Sequence, residues 1–127
     1  MFDVNANICS MGADASPLAR FRRAIERRSL VQAEAAAREL GRLRSEDALA
    51  LTMLMLHQRD ARSERAATRW LGRLIPTEPT IGLELTGALA DAFADLTGAS
   101  PDVARARAAV LLRSVGCTES AEVLERW

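Results

Sequence analysis

Apolar residues recur at spacings of three and four over most of this chain, which is the pattern of amphipathic α-helices. Leu18, Phe21 and Ile25 share one helical face directly after Ser16–Pro17. Ser before Pro favours a helix start, because the hydroxyl caps free backbone N–H groups and Pro fits the first helical position. Comparable signals predict seven helices, which begin at Ser16–Pro17, after Ser29, after Ser45, near Ala61, near Thr80, at Ser100–Pro101 and after Thr118. We expect the second helix to end near Leu43, the fourth at Ile75 before Pro76, the fifth before Gly98 and the sixth before Gly116.

The third predicted helix differs from the others because it has almost no polar face. Its run ALALTMLML over residues 48–56 is apolar nearly all round. Such a helix is typical of the centre of a domain, where every side is covered. Glu46 and Asp47 in its first turn suit the positive end of the helix dipole. We therefore expect this helix to be the most buried element.

Short connections between successive helices predict an all-α fold of six or seven helices packed as antiparallel hairpins. The hairpin starts at Ser16, Ser45 and Thr80 are 29 and 35 residues apart, which is near the period of helical repeat arrays. The three segments do not resemble one another in sequence, so an irregular bundle and a short repeat-like solenoid both fit. We assign residues 1–15 to an N-terminal arm and residues 16–127 to a single all-helical domain.

The charge of the chain is unevenly distributed although its net value is zero. All 17 basic side chains are Arg, so each offers a planar fork of donors to carboxylates and phosphates. Residues 20–73 carry 13 Arg and 7 acids, whereas residues 74–127 carry 4 Arg and 8 acids. Either the basic front half docks on the acidic back half, or both halves are simply solvated, or the front half binds an anionic partner.

The residue types needed for most enzymatic and metal sites are scarce. The chain has one His and two Cys, whereas a zinc site needs several such ligands. Cys9 and Cys117 match no metal or redox spacing, and His57 is expected to cap the carbonyls at the end of its helix. Cys117 precedes Thr118, so a helix N-terminus could acidify its thiol, although a buried core thiol is the commoner case. No glycine-rich phosphate loop occurs.

One group of carboxylates keeps an enzymatic alternative open. Glu84, Asp91 and Asp95 fall on one face of the fifth predicted helix. Such a stripe is usually a solvated face or a partner for cations, but it leaves a carboxylate dyad as a third possibility. We expect no metal and no cofactor.

The clearest positive feature is the arginine spacing on the fourth predicted helix. Four arginines recur there at intervals of three and four and cover an arc of roughly 80°; they are Arg62, Arg65, Arg69 and Arg73. Like charges at these spacings repel, so stability alone does not favour the pattern. Either it is a solvated face of a lysine-free protein, or it docks carboxylates or phosphates. Trp70 lies beside it and is either a core anchor or a contact residue at its border.

The stretches SPLARFRRAIERRSLVQAEAAARELGRL, RAATRWLGRL and VLERW resemble small all-helical proteins of GC-rich actinobacteria, a group with no established function. The similarity is one of composition, and it covers residues 16–75 best. It implies a cytoplasmic bacterial protein and carries no site residue.

The sequence favours a non-enzymatic interaction or adaptor module that binds through Arg62, Arg65, Arg69 and Arg73, with Trp70 at the border of that surface. The expected partner is another protein or a further copy of the chain. The alternative is a nucleic-acid-associated protein whose same arginines contact phosphates. No apolar run approaches the length of about 20 residues that a membrane span requires, so we expect no membrane partner and a cytoplasmic location.

Overall fold

The computed structural model describes residues 16–127, and this part of the chain is all-helical. Its seven α-helices are α1 (Pro17–Glu26), α2 (Leu30–Leu40), α3 (Ser45–His57), α4 (Ser63–Thr77), α5 (Leu83–Ala94), α6 (Pro101–Ser114) and α7 (Thr118–Glu125). A 3₁₀ turn, Asp95–Thr97, follows α5. No strand occurs among residues 16–127, so the predicted all-α class is confirmed. The predicted arm, residues 1–15, lies outside the described residues.

The chain divides into two compact units, and the boundary between them along the sequence lies between Leu43 and Arg44. The first unit contains the α1–α2 hairpin, and the second contains the five helices α3–α7. The single domain that the sequence predicts over residues 16–127 stays a prediction.

The first unit is a helical hairpin whose starts follow the predicted caps. The Ser16 hydroxyl accepts a hydrogen bond from the Ala19 backbone N–H at 3.2 Å, and the Ser29 hydroxyl accepts one from Gln32 at 3.4 Å. Phe21 on α1 is fully buried, and small Ala33 on α2 is buried as well. The small side chains of α2 allow two helices to approach closely while one aromatic ring fills the space between them.

The second unit is a closed ring of helices. Each helix from α3 to α6 packs against the next, and α7 returns to pack against α3. In an open solenoid the first and last helices do not touch, so this unit is a compact bundle rather than a repeat array. The largest fully buried side chains of the second unit come from four of the five helices and are Leu49, Leu54, Leu89, Leu112 and Leu124.

The predicted burial of α3 is confirmed. Seven of its 13 residues are buried, among them Leu49, Met53 and Leu54. The helix ends with Arg59 in the left-handed region at φ 55°, which lets the Asp60 N–H donate to the Met55 carbonyl at 2.9 Å. This arrangement satisfies carbonyls that the helix end otherwise leaves free.

Some predicted helix ends were wrong by a few residues. Helix α2 ends at Leu40 rather than near Leu43, because Gly41 adopts φ 75° and breaks the helical path. Helix α4 continues through Pro76 to Thr77, since a proline in the last turn removes only one backbone hydrogen bond. The Thr77 hydroxyl donates to the Leu74 carbonyl at 2.8 Å and supports this last turn.

Three predicted starts were also shifted. Thr118 is the first residue of α7 and not the residue before it, and Cys117 occupies the cap position. Ser45 is the first residue of α3 and not its cap, and the residue in the cap position, Arg44, makes no side-chain capping bond. Helix α5 begins at Leu83 rather than near Thr80, with Gly82 in the cap position.

Candidate functional site

Helix α4 is held in one rotational position by its buried side. Ala67, Trp70 and Leu74 are buried, and the Trp70 indole N–H donates to the Ser45 carbonyl of α3 at 2.8 Å. The Trp70 ring also stacks on Phe93 of α5, with ring centres 5.6 Å apart and planes 17° apart. Two neighbouring helices therefore hold this side of α4, and the opposite side is directed to solvent.

The solvent side of α4 carries a row of arginines that we call the α4 arginine face: Arg65, Arg69 and Arg73. All three side chains are exposed. None of them forms an ion pair with residues 16–127. Because they are four residues apart, their Cα atoms follow one another at intervals of about 6 Å along the helix. The result is one line of three guanidinium groups on a fixed helix.

Arg62, the fourth predicted member, is occupied differently. It precedes the first turn of α4, and its Nη2 pairs with Asp60 Oδ2 at 2.9 Å. Asp60 Oδ1 also accepts from the Arg62 Nε at 2.9 Å and from its backbone N–H at 2.8 Å. These side-chain and then backbone hydrogen bonds lower the pKa of Asp60 to about 2. Arg62 is therefore part of a local structure at the start of α4 and is not part of the α4 arginine face.

Trp70 does not lie at the border of a surface. Only 4% of it is exposed, so a partner docked on the outside of α4 has no access to its ring. The core-anchor interpretation applies, and the partner-contact role assigned to Trp70 is withdrawn. Its contribution to the site is to fix the side of α4 that faces solvent.

Small residues accompany the arginines on the exposed side of α4. Thr68, Gly72 and Pro76 are exposed and follow one another at intervals of four residues. A groove of about 630 Å³ runs along the first half of this side, and its lining includes Arg65, Thr68 and Arg69 together with the Asp60-bound Arg62. Flexible guanidinium groups beside short side chains form a surface that a second helix or an extended segment can approach closely.

Several arginines elsewhere on the chain have carboxylate partners. Arg20 pairs with Glu39 through two hydrogen bonds of 2.7 and 2.8 Å. Arg113 pairs with Glu125 in the same forked manner, at 2.6 and 3.2 Å. In each pair the hydrogen bonds from the arginine lower the pKa of the glutamate. The α4 arginine face differs in having no such partner among residues 16–127.

The shorter row on α1 is a weaker candidate. Arg20, Arg23 and Arg27 line a groove of about 310 Å³ with the alanines of α2. Arg20 is already held by Glu39, which leaves a smaller charge for an external anion.

The features that would indicate catalysis do not come together. His57 does not cap its helix as expected but packs against Trp127, with ring centres 5.6 Å apart. Burial, followed by the charges of Glu78 and Glu119, raises the pKa of the Cys117 thiol, which opposes the acidified-thiol interpretation.

The carboxylate row of α5 is divided. Asp95 lies in the 3₁₀ turn and pairs with Arg107 at 2.7 Å, while Glu84 and Asp91 are exposed and have no ion pair among residues 16–127. Within the same part of the chain, no group of three His, Cys, Asp or Glu side chains is arranged to hold a metal ion. Nor does any helix of residues 16–127 have the length and apolarity of a membrane span.

Sequence reasoning identified the arginine row but missed two pairings. It did not detect the Asp60–Arg62 pair, although an acid two residues before an arginine at a helix start was a visible signal. It also did not separate Asp95, which pairs with Arg107, from Glu84 and Asp91, which have no ion pair among residues 16–127. Compared with known proteins by sequence and by structure, the chain matches no protein-family model, no curated protein and no solved structure.

Proposed function

We propose that this protein is a non-enzymatic interaction module that binds a carboxylate-bearing protein surface through the α4 arginine face. The setting we propose is the bacterial cytoplasm. The observation that carries the proposal is the row of three exposed guanidinium groups without ion pairs to residues 16–127, on a helix held by Trp70.

Like charges four residues apart on a helix destabilise it by about 0.2–0.5 kcal/mol per pair. A partner carboxylate between two guanidinium groups removes this repulsion and adds charge-assisted, forked hydrogen bonds. Because α4 is already folded and held by Trp70, binding requires no folding of the helix, and its cost is the loss of overall freedom, the desolvation of the charged groups and the ordering of the arginine side chains. The row is therefore better suited to a partner than to the isolated chain.

A protein partner is favoured over nucleic acid by the charge around the row. The chain has no net positive charge, and Glu64 lines the same groove as Arg65 and Arg69. A long polyphosphate would approach these acids and those of the back half, whereas a short carboxylate cluster would not.

The nucleic-acid alternative makes its own prediction. If three arginines contact duplex DNA, the logarithm of the binding constant falls with the logarithm of the salt concentration at a slope of about −2.7. A measurable slope of this size in anisotropy titrations would favour the nucleic-acid alternative.

The test compares two double charge reversals of equal charge change. R65E/R69E alters the α4 arginine face, and R38E/R42E alters two exposed arginines elsewhere. We expect R65E/R69E to reduce partner capture from the native host by more than about tenfold, because like charges then face each other at the interface. R38E/R42E is expected to capture normally.

Both variants are expected to keep their thermal stability to within about 1 kcal/mol, as is usual for surface changes. Unchanged capture by R65E/R69E would mean that the row only solvates the helix. A large loss of stability in that variant alone would mean that these arginines hold the fold together.

A further inference from the structure

The second unit exposes two helix faces of opposite charge. One is the α4 arginine face, and the other, which we call the α5 acidic face, consists of Glu84 and Asp91. The two carboxylates are seven residues apart and lie within about 20° of each other around the helix. Both are exposed, and neither has an ion pair with residues 16–127.

The two faces match in length. Arg65 and Arg73 are separated by about 12 Å along α4, and Glu84 and Asp91 by about 10.5 Å along α5. A guanidinium fork reaches further than this difference of about 1.5 Å, so two Arg–carboxylate pairs can form together when the helices lie side by side.

Each face also contains an exposed glycine in the middle of its helix. Gly72 lies within α4 and Gly87 within α5, and a Cβ atom added to either meets no atom within 4 Å. Packing among residues 16–127 therefore does not require these glycines, although each weakens its helix. Because neither glycine has a side chain, two helices can approach closely at these positions, and their arginine and carboxylate side chains can come into contact.

The two faces do not pair within one chain. Helices α4 and α5 are neighbours that contact each other through Trp70 and Phe93 on their buried sides. Their exposed charges therefore remain unpaired in the isolated bundle, and the chain carries equal numbers of acidic and basic residues. A second copy supplies the complement of each face.

We propose, as an extension of the proposed function above, that the partner is a second copy of this chain. The α4 arginine face of one copy binds the α5 acidic face of the other, and in a two-fold pair both such contacts form. The interface is polar and charged, so its association is expected to be weakened by salt.

The experiment is a charge exchange measured by sedimentation velocity at low salt on the full chain. R65E/R69E makes both faces acidic, and E84R/D91R makes both basic. Each variant alone is expected to lose the concentration-dependent dimer of the wild type, with dissociation constants raised more than about tenfold by like-charge repulsion. An equimolar mixture is expected to restore a mixed dimer, because each face again meets its opposite.

The matched control mixes R38E/R42E with E84R/D91R. The two proteins of this control differ in net charge by as much as the charge-exchanged pair does. A mixed dimer of them has one attractive contact and one contact in which the intact α4 arginine face meets a basic face. We expect R38E/R42E to dimerise by itself and the mixed dimer to be more than about tenfold weaker. Circular dichroism of each protein checks its fold, and the neutral variants R65Q/R69Q and E84Q/D91N, which should each weaken the dimer, replace any reversal that unfolds.

A wild type that stays monomeric at every concentration overturns the proposal, and so does a dimer that survives the reversals or a charge-exchanged mixture that does not reassociate. Mixed dimers in the control pair that are as stable as those of the charge-exchanged mixture would also overturn it, since general attraction would then explain the result. If the wild type is monomeric while R65E/R69E still loses capture of a host protein, only the second-copy inference fails. If capture is unchanged as well, the proposed function fails with it.

Discussion

Arg62 and Arg65 are three residues apart and fall on one arc of the predicted helix, yet they have different environments. Both are exposed, but the Arg62 guanidinium is held by Asp60, whereas Arg65 has no ion pair with residues 16–127. The arc follows from helical periodicity and was predictable from the sequence. The pairing depends on the backbone before the helix, where Arg59 has φ 55°, and a periodic pattern contains no information about such a turn.

The Asp60–Arg62 pair predicts a pH-dependent stability difference between the wild type and Asp60→Asn. The pKa of Asp60 is lowered from 3.8 to about 2 by its hydrogen bonds with Arg62, so the folded state favours the charged carboxylate. Its contribution is complete above pH 4 and is lost as the pH falls towards 2.

We expect the wild type to be more stable than Asp60→Asn in urea melts at neutral pH, and the difference to shrink between about pH 4 and pH 2. A difference that stays constant over this range would show that the charge of Asp60 is unimportant. Glu26→Gln is the control for the loss of one exposed carboxylate, because Glu26 has no ion pair among residues 16–127 and lies outside the proposed contacts.

Trp70 illustrates what sequence can and cannot give for a single side chain. Its position next to Leu74 on the helical wheel indicated a core role. Its hydrogen bond to the Ser45 carbonyl, 25 residues away, follows from how α3 and α4 cross, which periodicity does not specify. The assignment of Trp70 to a binding border failed for that reason.

At the scale of elements, the helix starts at Ser16, Ser29 and Ser100–Pro101 were predicted correctly. Ser16 and Ser29 cap the helices that follow them, and Pro101 occupies the first position of α6. Ser45 looked like a further cap, but it is the first residue of α3, and no side-chain cap bond is formed at that start. Helix ends were predicted less well, since a stop at Gly41 or a continuation through Pro76 depends on backbone angles rather than on apolar spacing.

We expect a substitution of the exposed glycine inside α4 to stabilise the protein. Gly72 lies inside the helix without a positive φ and with open space around an added Cβ. Gly72→Ala is therefore expected to raise the free energy of unfolding by about 0.5–1 kcal/mol, because alanine loses less backbone entropy on folding.

The contrasting variant is Gly41→Ala, which should destabilise the chain, because Gly41 has φ 75° and alanine is strained there. Both changes are measured by chemical denaturation of dilute protein at high salt, where the proposed dimer is dissociated. A destabilising Gly72→Ala would indicate that the solvent side of α4 is covered within the chain, contrary to its description as an exposed face.

At the scale of the whole molecule, two properties were beyond sequence reasoning. Closure of the second unit depends on the packing of α7 against α3, two helices that are 60 residues or more apart, and no local pattern reports such a contact.

The second property is the pairing of charges, because the excess of arginines in the front half and of acids in the back half allowed several interpretations. The pairs Arg20–Glu39 and Asp60–Arg62 lie within the basic front half, and Arg107–Asp95 and Arg113–Glu125 within the back half. These pairs do not join the two halves, and the α4 arginine face has no ion pair with residues 16–127.

The central claim is that a partner covers Arg65, Arg69 and Arg73. The most direct measurement is arginine-selective dicarbonyl labelling of the unaltered protein, read residue by residue by mass spectrometry. Dilute protein at high salt, where the proposed contacts are dissociated, is compared with concentrated protein and with lysate of the native host, both at low salt. We predict that these three arginines lose reactivity in the concentrated protein or in the lysate, that Arg38 and Arg42 do not, and that high salt restores the labelling. Reactivity of Arg65, Arg69 and Arg73 that stays the same under all these conditions, or protection confined to other arginines, would contradict the claim.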